Sequence, residues 1–304
     1  MSITITQLKA FLAVVRGGSV TAAADELVVT QPSVSSALAA LSRELGCELF
    51  ERSGRGVALT AAGRAFAPYA ADVLGLLEQG RAGALEAAQV TARRLQIAAV
   101  TTAAESFVPP LLQAFSAHDP GVELALVVGN QYEVLERVLD HSVDVAICGQ
   151  PPADERLVCE RLLDNEIVCI TAPEDPAAGG RLSSAELADR VWLLRESGSG
   201  TRILNEQFLA ARGLAPSSLT LGSNGAIKQA VRAGLGVSLI SRATVEAELR
   251  AGLLAELALR DGPPKRSWYL LRSAVGPLRP SVADFVSFVV AHAGPGTSVS
   301  SAPA

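Results

Sequence analysis

The sequence predicts an α/β protein with an all-α winged unit at its N-terminus. Three observations point to this class. Up to residue 60, apolar positions recur at helical spacing between Gly and Ser/Thr punctuation, and two short strand-like runs follow around a Gly-rich tip. Residues 61–89 are nearly all helix formers. From Arg93 onward strand-like and helix-like stretches alternate, the pattern of a layered α/β region. A chain of 304 residues suits two or three such domains.

The first helix shows Leu8, Phe11, Leu12 and Val15 on one face, with Thr6 as its expected cap and Gly17-Gly18 as its end. Ser19 caps a second helix, in which Ala22-Ala23-Ala24 permits close packing against a partner. The turn is Val28-Val29-Thr30. Thr30 then caps a third helix, and Pro32 falls in its first turn, where the missing N–H has no intrahelical partner to lose. Val34, Leu38, Leu41 and Leu45 form the apolar stripe of that helix. The opposite face carries Gln31, Ser33, Ser35, Ser36 and Arg43. Small polar side chains at the start of the second helix of a helix-turn-helix suit a reader of the DNA major groove. Gly46 stops this helix. The runs 49–52 and 57–60 flank Ser53-Gly54-Arg55-Gly56 and predict a hairpin. Alone, it would be a surface hairpin with solvated arginines; after a helix-turn-helix it is a wing. Arg52 and Arg55 would then lie beside the backbone or the minor groove. The expected DNA-contacting set is Ser19, Thr30, Gln31, Pro32, Ser33, Ser35, Ser36, Arg43, Arg52 and Arg55.

In the following helix, Phe66, Ala70, Val73, Leu77, Gly80, Ala84 and Ala87 mark a heptad seam. Gly75, Gly80 and Gly83 each weaken a helix interior by about 1 kcal/mol relative to Ala. Such a helix gains from a partner, and pairing two readers places a dimer on a pseudo-palindromic site. Packing on its own domain is the alternative.

The net charge of −5 excludes a broad basic field, so DNA affinity must come from a few arginines, helix N-termini and dimerisation. Cys47, Cys148, Cys159 and Cys169 form no CxxC pair; Cys148 and Cys169 lie in apolar runs and read as small buried hydrophobes. His118, His141 and His292 lack metal spacing and read as solvent-exposed or capping residues. The first residues show no basic leader, and no apolar run reaches membrane-spanning length. A soluble, cytoplasmic protein is expected, with no metal or cofactor.

In the α/β region strands are expected at 95–100, 122–128, 144–148, 167–171, 192–194, 219–221, 237–240 and 268–271. Helices are expected at 107–118, 132–141, 202–212, 226–233 and 282–292. Two lobes are expected, with 159–171 and 265–271 carrying the chain across and back. The expected layout is a winged helix-turn-helix at 1–60, a linker and dimerisation helix at 61–92, an effector domain at 93–294, and a disordered Gly/Ser/Pro/Ala-rich tail at 295–304. Lobe I takes 93–163 and 268–294, and lobe II takes 164–267.

Together these features resemble the LysR-type transcriptional regulators over essentially the whole chain. The resemblance is carried by Leu8, Phe11, Ser19, Ala23-Ala24, Leu27, Thr30-Gln31-Pro32-Ser33-Val34-Ser35, Leu38, Leu41, Leu45-Gly46, Leu49-Phe50-Glu51-Arg52 and Leu59-Thr60-Ala62-Gly63. It implies a winged helix-turn-helix, a linker helix and a two-lobed periplasmic-binding-protein-like effector domain. It also implies a homo-oligomer, dimer or tetramer, that bends promoter DNA differently when a small co-inducer binds. Ser36 stands where many members have Arg, and Ser42 where many have Glu, which alters the expected operator. The segment Arg195-Glu196-Ser197-Gly198-Ser199-Gly200-Thr201-Arg202 is similar to one in regulators of carbon-fixation operons and of sulfur assimilation.

Ligands of open α/β sheets bind beyond the carboxyl ends of strands. Four such ends here carry polar or Gly residues: Thr101-Thr102; Gly149-Gln150; Ser197-Gly198-Ser199-Gly200-Thr201 with Arg202; and Asn224. Three also precede helices, whose free N–H groups favour an anion. A carboxylate, phosphate or sulfur oxyanion held between the lobes is expected. Ordinary helix capping is the alternative for any one of them. Enzyme signatures fail. Gly198-Ser199-Gly200 lacks the Lys-Ser/Thr of a phosphate loop, Ser199 is not in a GxSxG elbow, and Gly234-Leu235-Gly236 precedes a strand instead of following one. A DNA-free solute-binding protein and a purely structural DNA-bridging protein are the other rivals. The missing leader counts against the first and the crevice against the second.

Overall fold

The computed structural model describes residues 2–54, 56–88, 93–260 and 262–293. They divide into two units. The first comprises the N-terminal 91 residues with the short segments 139–142 and 275–279, and the second holds the remainder.

In the first unit, α1 (Ile5–Gly17), α2 (Val20–Leu27) and α3 (Gln31–Leu45) precede a hairpin of β1 (Phe50–Ser53) and β2 (Gly56–Leu59), and α4 (Ala61–Ala87) follows. The cap of α1 is Thr4, not Thr6. Its hydroxyl accepts the Gln7 N–H at 3.3 Å while its own N–H donates to Gln7 Oε1 at 2.8 Å. That reciprocal box satisfies two otherwise free donors and starts the helix earlier than the apolar stripe alone suggests. Ser19 and Thr30 cap α2 and α3 as their side chains predict, and Gly18 and Gly46 end α1 and α3 in the left-handed region at φ 65° and 72°. The apolar stripes meet in two clusters. Ala10, Ala13, Val14, Ala23, Ala24 and Val34 form one, and Leu8, Phe11, Leu41, Leu49 and Ala70 the other.

The predicted heptad seam divides along α4. Phe66 and Ala70 pack into this unit's own core. From Val73 onward the seam is exposed, with Val73 and Leu77 showing 48% and 55% of their surface. The histidine reading requires a correction at His141, whose side chain is fully buried. His141 Nε2 lies 2.8 Å from Asp72 Oδ1, and Nδ1 lies 3.1 Å from Gln79 Nε2. Its ring lies against Gly75, where a Cβ would come within 2.3 Å of it. Long-range partners of this kind leave no local sequence mark.

The second unit begins with β3 (Arg93–Val100), α5 (Thr101–Ala104), α6 (Val108–His118), β4 (Val122–Gly129), α7 (Gln131–Leu139), β5 (Val145–Cys148) and β6 (Leu157–Asn165). It continues with β7 (Ile167–Thr171), β8 (Arg181–Leu182), α8 (Ser184–Ala188), β9 (Trp192–Arg195), α9 (Gly200–Ala210), β10 (Ser218–Leu221) and α10 (Asn224–Arg232). It ends with β11 (Ser238–Ser241), α11 (Glu246–Arg250), β12 (Ala255–Leu259), β13 (Arg266–Ser273) and α12 (Pro280–Ala293). One lobe holds a five-stranded sheet ordered β4-β3-β5-β13-β6. The other holds a four-stranded sheet ordered β11-β7-β12-β8, with β9 and β10 parallel beside it.

Strand periodicity explains how the second lobe builds its core. Along β7, Ile167 and Cys169 join Trp192, Leu204 and Phe208 on one face. Val168 and Ile170 join Leu193, Ile227 and Val231 on the other. Because β7 is buried on both sides it reads as one continuous apolar run. The strand β6 was expected as part of a connector. It lies at the sheet edge and buries only Leu157 and Leu162, so its apolar pattern is too sparse to announce it. The outgoing crossing narrows to Glu166, between β6 and β7. The expected tail, 295–304, lies outside the described residues.

Candidate functional site

Two sites emerge, one in each unit. In the first, α3 buries Val34 and Leu41 and leaves Gln31, Pro32, Ser33, Ser35, Ser36 and Arg43 exposed. The first turn is fixed by Thr30, whose hydroxyl accepts the Ser33 N–H at 3.4 Å and lies 2.8 Å from Ser33 Oγ. Arg43 Nε donates to the Ala39 carbonyl at 3.3 Å within the same helix. Ser19 is half-buried and its hydroxyl accepts the Ala22 N–H, so it acts first as a cap. The hairpin is tied to the α1–α2 corner by Val57 N–H donating to Gly18 O at 3.2 Å. A Cβ on Gly56 would come within 2.8 Å of that carbonyl. Arg52 is exposed on β1, and Arg55 lies outside the described residues.

In the second unit the strand ends converge on one cavity of about 540 Å³, mouth included. Thr101, Thr102, Gly149, Gln150, Ser199, Gly200 and Thr201 line it. Four of the expected effector residues do not. Ser197 is exposed outside it. Gly198, at φ 85°, makes the turn into α9 and accepts the Tyr132 N–H. Arg202 turns back into the fold. Its guanidinium donates to the Arg195 carbonyl at 2.9 Å, to Glu206 at 2.7 Å and to Thr220 at 3.2 Å. A long side chain at a helix start has several directions open, and here an i,i+4 carboxylate and a strand-end carbonyl decide.

Asn224 is wholly buried and positions other groups. It accepts Arg195 Nη1 at 2.5 Å and donates to Thr102 Oγ1 at 3.2 Å and Glu105 Oε2 at 3.0 Å. It therefore joins the first turn of α10 in one lobe to the start of α5 in the other. Arg195 is 3% exposed and lines the cavity, but its charge is already matched. Glu196 takes Nε and Nη2 at 2.7 and 2.9 Å, a bidentate pair.

Sequence reasoning missed several wall residues: Asn130, Gln131, Asn165, Ser241, Arg266 and Trp268. Gln131 Nε2 donates to Gln150 O at 2.9 Å, and a Cβ on Gly200 would fall 2.2 Å from Gln131 Oε1, so glycine makes room for that amide. Ser199 precedes α9 with extended backbone and makes no side-chain capping bond, which leaves its buried hydroxyl to the cavity. Trp268 is 3% exposed and meets the Phe107 ring at a tilt of 51°, ring centres 5.4 Å apart. Burial pushes the Arg266 guanidinium below its ordinary value, with nearby Tyr269 opposing the shift. An Arg inside a strand pattern carries no motif, and only the lobe-to-lobe return of the chain brings it here.

Comparison with known proteins adds an independent line. Residues 5–64 match the model described as bacterial regulatory helix-turn-helix protein, lysR family, and residues 88–294 match that of the LysR substrate binding domain. The chain is 36% identical over 295 residues to a RuBisCO operon transcriptional regulator of Allochromatium vinosum, covering 96% of this chain and 97% of that one. The structure of the regulatory domain of Synechocystis PCC6803 CcmR in complex with 2-PG is similar at 32% identity and TM-score 0.63, covering 67% of this chain and 99% of that one. Full-length CbnR in complex with its target DNA is similar at 25% identity and TM-score 0.59, covering 94% and 98% respectively.

Proposed function

The chain belongs to the LysR family of bacterial transcriptional regulators, and from that footing we propose a specific mode of action for it. A homo-oligomer reads a pseudo-palindromic promoter site through the first turns of α3 and the hairpin arginines. Pairing uses the exposed seam of α4 from Val73 to Ala87. A small anionic metabolite in the cavity of the second unit changes how the promoter is bound or bent.

The observation that carries the effector reading is the convergence of strand ends from both lobes on one cavity. Its walls offer hydroxyls, amides and two guanidiniums, and the described lining residues include no Asp or Glu. The CcmR regulatory domain in complex with 2-PG makes phosphorylated small acids the first candidates, and the RuBisCO operon regulator makes carbon assimilation the first candidate pathway. Ligand shifts the assembly only by binding one packing of it more tightly than another.

Two experiments test this. A genome-wide binding map names the regulated genes. Thermal-shift titration with 2-PG, sugar phosphates, reduced nicotinamide nucleotide and sulfur anions ranks the effectors. If Thr101→Ala and Ser199→Ala leave the affinity of the best binder unchanged, the effector does not occupy this cavity.

A further inference from the structure

The lobe crossing places three polar side chains with unused hydrogen-bonding capacity on one wall of the cavity. In the β13–β6 ladder Arg266 stands opposite Asn165, and in the β11–β7 ladder Ser241 stands opposite Ile167. Positions 165 and 167 flank Glu166 and lie two residues apart on an extended chain, so they face the same side. All four residues line the cavity. Arg266 and Asn165 belong to the sheet of one lobe, and Ile167 and Ser241 to the sheet of the other.

Native interiors rarely leave buried polar atoms unpaired. Asn165 Oδ1 and Ser241 Oγ are both buried without a hydrogen-bond partner, and Ser241 is 3% exposed. Among the described residues the Arg266 guanidinium finds only Gln207 Oε1, at 3.4 Å, and no carboxylate. The other arginine in the wall, Arg195, is matched by Glu196. Arg266 is therefore the cation whose charge the cavity leaves open. Its planar fork suits an oxyanion, and turning the Asn165 carboxamide over presents two further N–H donors at the same place.

We propose that Arg266, Asn165 and Ser241 form an oxyanion subsite at the lobe crossing, which takes the phosphate or carboxylate head of the effector. The proposal rests on the effector reading above and deepens it. Since the donors come from both lobes, the bound oxyanion also ties the two sheets together where they meet.

Calorimetric titration of the full-length chain with 2-PG, inorganic phosphate and glycolate tests the subsite, with Trp268 emission as a second readout in the same wall. For 2-PG, Arg266→Gln is expected to weaken binding by about ten- to a hundredfold, the value of a charge-assisted hydrogen bond. Asn165→Asp, which sets a carboxylate against Arg266, weakens it at least as much. Arg266→Lys keeps the charge but loses the fork and falls between, and Ser241→Ala weakens it least. The unliganded melting temperature of Arg266→Gln stays at the wild-type value, which a merely structural arginine would not allow. Inorganic phosphate binding without glycolate binding assigns the head as phosphate, and the converse assigns it as carboxylate. If Arg266→Gln, Asn165→Asp and Ser241→Ala bind 2-PG like wild type while Thr101→Ala is weakened, the subsite is overturned and the cavity stands. If Thr101→Ala also binds like wild type, the cavity falls with it. If the wild type binds none of the three probes at about 10 mM, which detects dissociation constants up to the millimolar range, both are overturned.

Discussion

Single residues here do opposite work under the same chemistry. Arg195 and Arg266 both line the cavity of the second unit, yet one is locked by Glu196 and Asn224 and the other is left open. Asp175 shows the purely structural use of the same pairing. The Arg190 guanidinium bonded to it pulls its carboxyl down from 3.8 to about 2, burial opposes this, and the Thr171 hydroxyl adds to it. A depressed folded value gives stability that is present above the unfolded value and is lost as pH falls through the folded one. Acid unfolding should therefore draw on Asp175 between about pH 4 and pH 2, and Asp175→Asn should cost about 2 kcal/mol at neutral pH while flattening that part of the curve. Melting curves taken across this pH range check it. Gly63 makes a second case. A Cβ there would stand 2.1 Å from the Leu49 carbonyl, which is held by the Thr60 N–H at 3.0 Å and cannot easily retreat. Gly63→Ala should cost about 1–3 kcal/mol in denaturant unfolding.

Among the elements, α3 and α4 carry separate tasks. The first turn of α3 is exposed, polar and held by Thr30, so Thr30→Ala should lower stability by about 1 kcal/mol and weaken promoter binding beyond that loss. Gel retardation compared with the melting temperature separates the two effects. The helix α4 anchors its N-terminal part in the reader through Phe66 and Ala70 and leaves Val73 and Leu77 exposed. Leu77→Glu should shift sedimentation toward the monomer without lowering the helix content of the reader. Unchanged oligomer mass would remove this face from the pairing surface. Asn224 works at the same scale, since its three hydrogen bonds tie α10 to β9 and α5.

For the whole molecule, the charge of −5 sets the terms of DNA recognition. With few phosphate-neutralising cations on each reader, affinity should fall only gently with salt, by a slope that counts the arginines engaged. Arg52→Gln should reduce that slope by about one per reader and weaken all sequences alike. Saturating effector should change the footprint or bend angle at constant oligomer mass. Identical footprints with and without it would overturn the switching mechanism while leaving DNA binding intact.

Much of this protein is decided locally and was therefore legible. Ser19, Thr30 and Pro32 act on their own helix turns, Gly18 and Gly46 on their own backbone angles, and the stripe of Val34 and Leu41 on one helix face. These effects reach three or four residues, so spacing alone reports them. The seven expected residues that line the cavity, from Thr101 to Thr201, share that property, because each follows directly from a strand end. What the sequence could not show are contacts made across long loops. Arg202 was drawn to Glu206 and Thr220, and His141 was buried against Asp72 and Gln79. Arg266 met Asn165 a hundred residues away by sheet register. Local sequence fixes backbone preference and face. The free energy that chooses a partner for a long polar side chain depends on which groups the folded chain leaves buried and unpaired, and only the tertiary structure decides that.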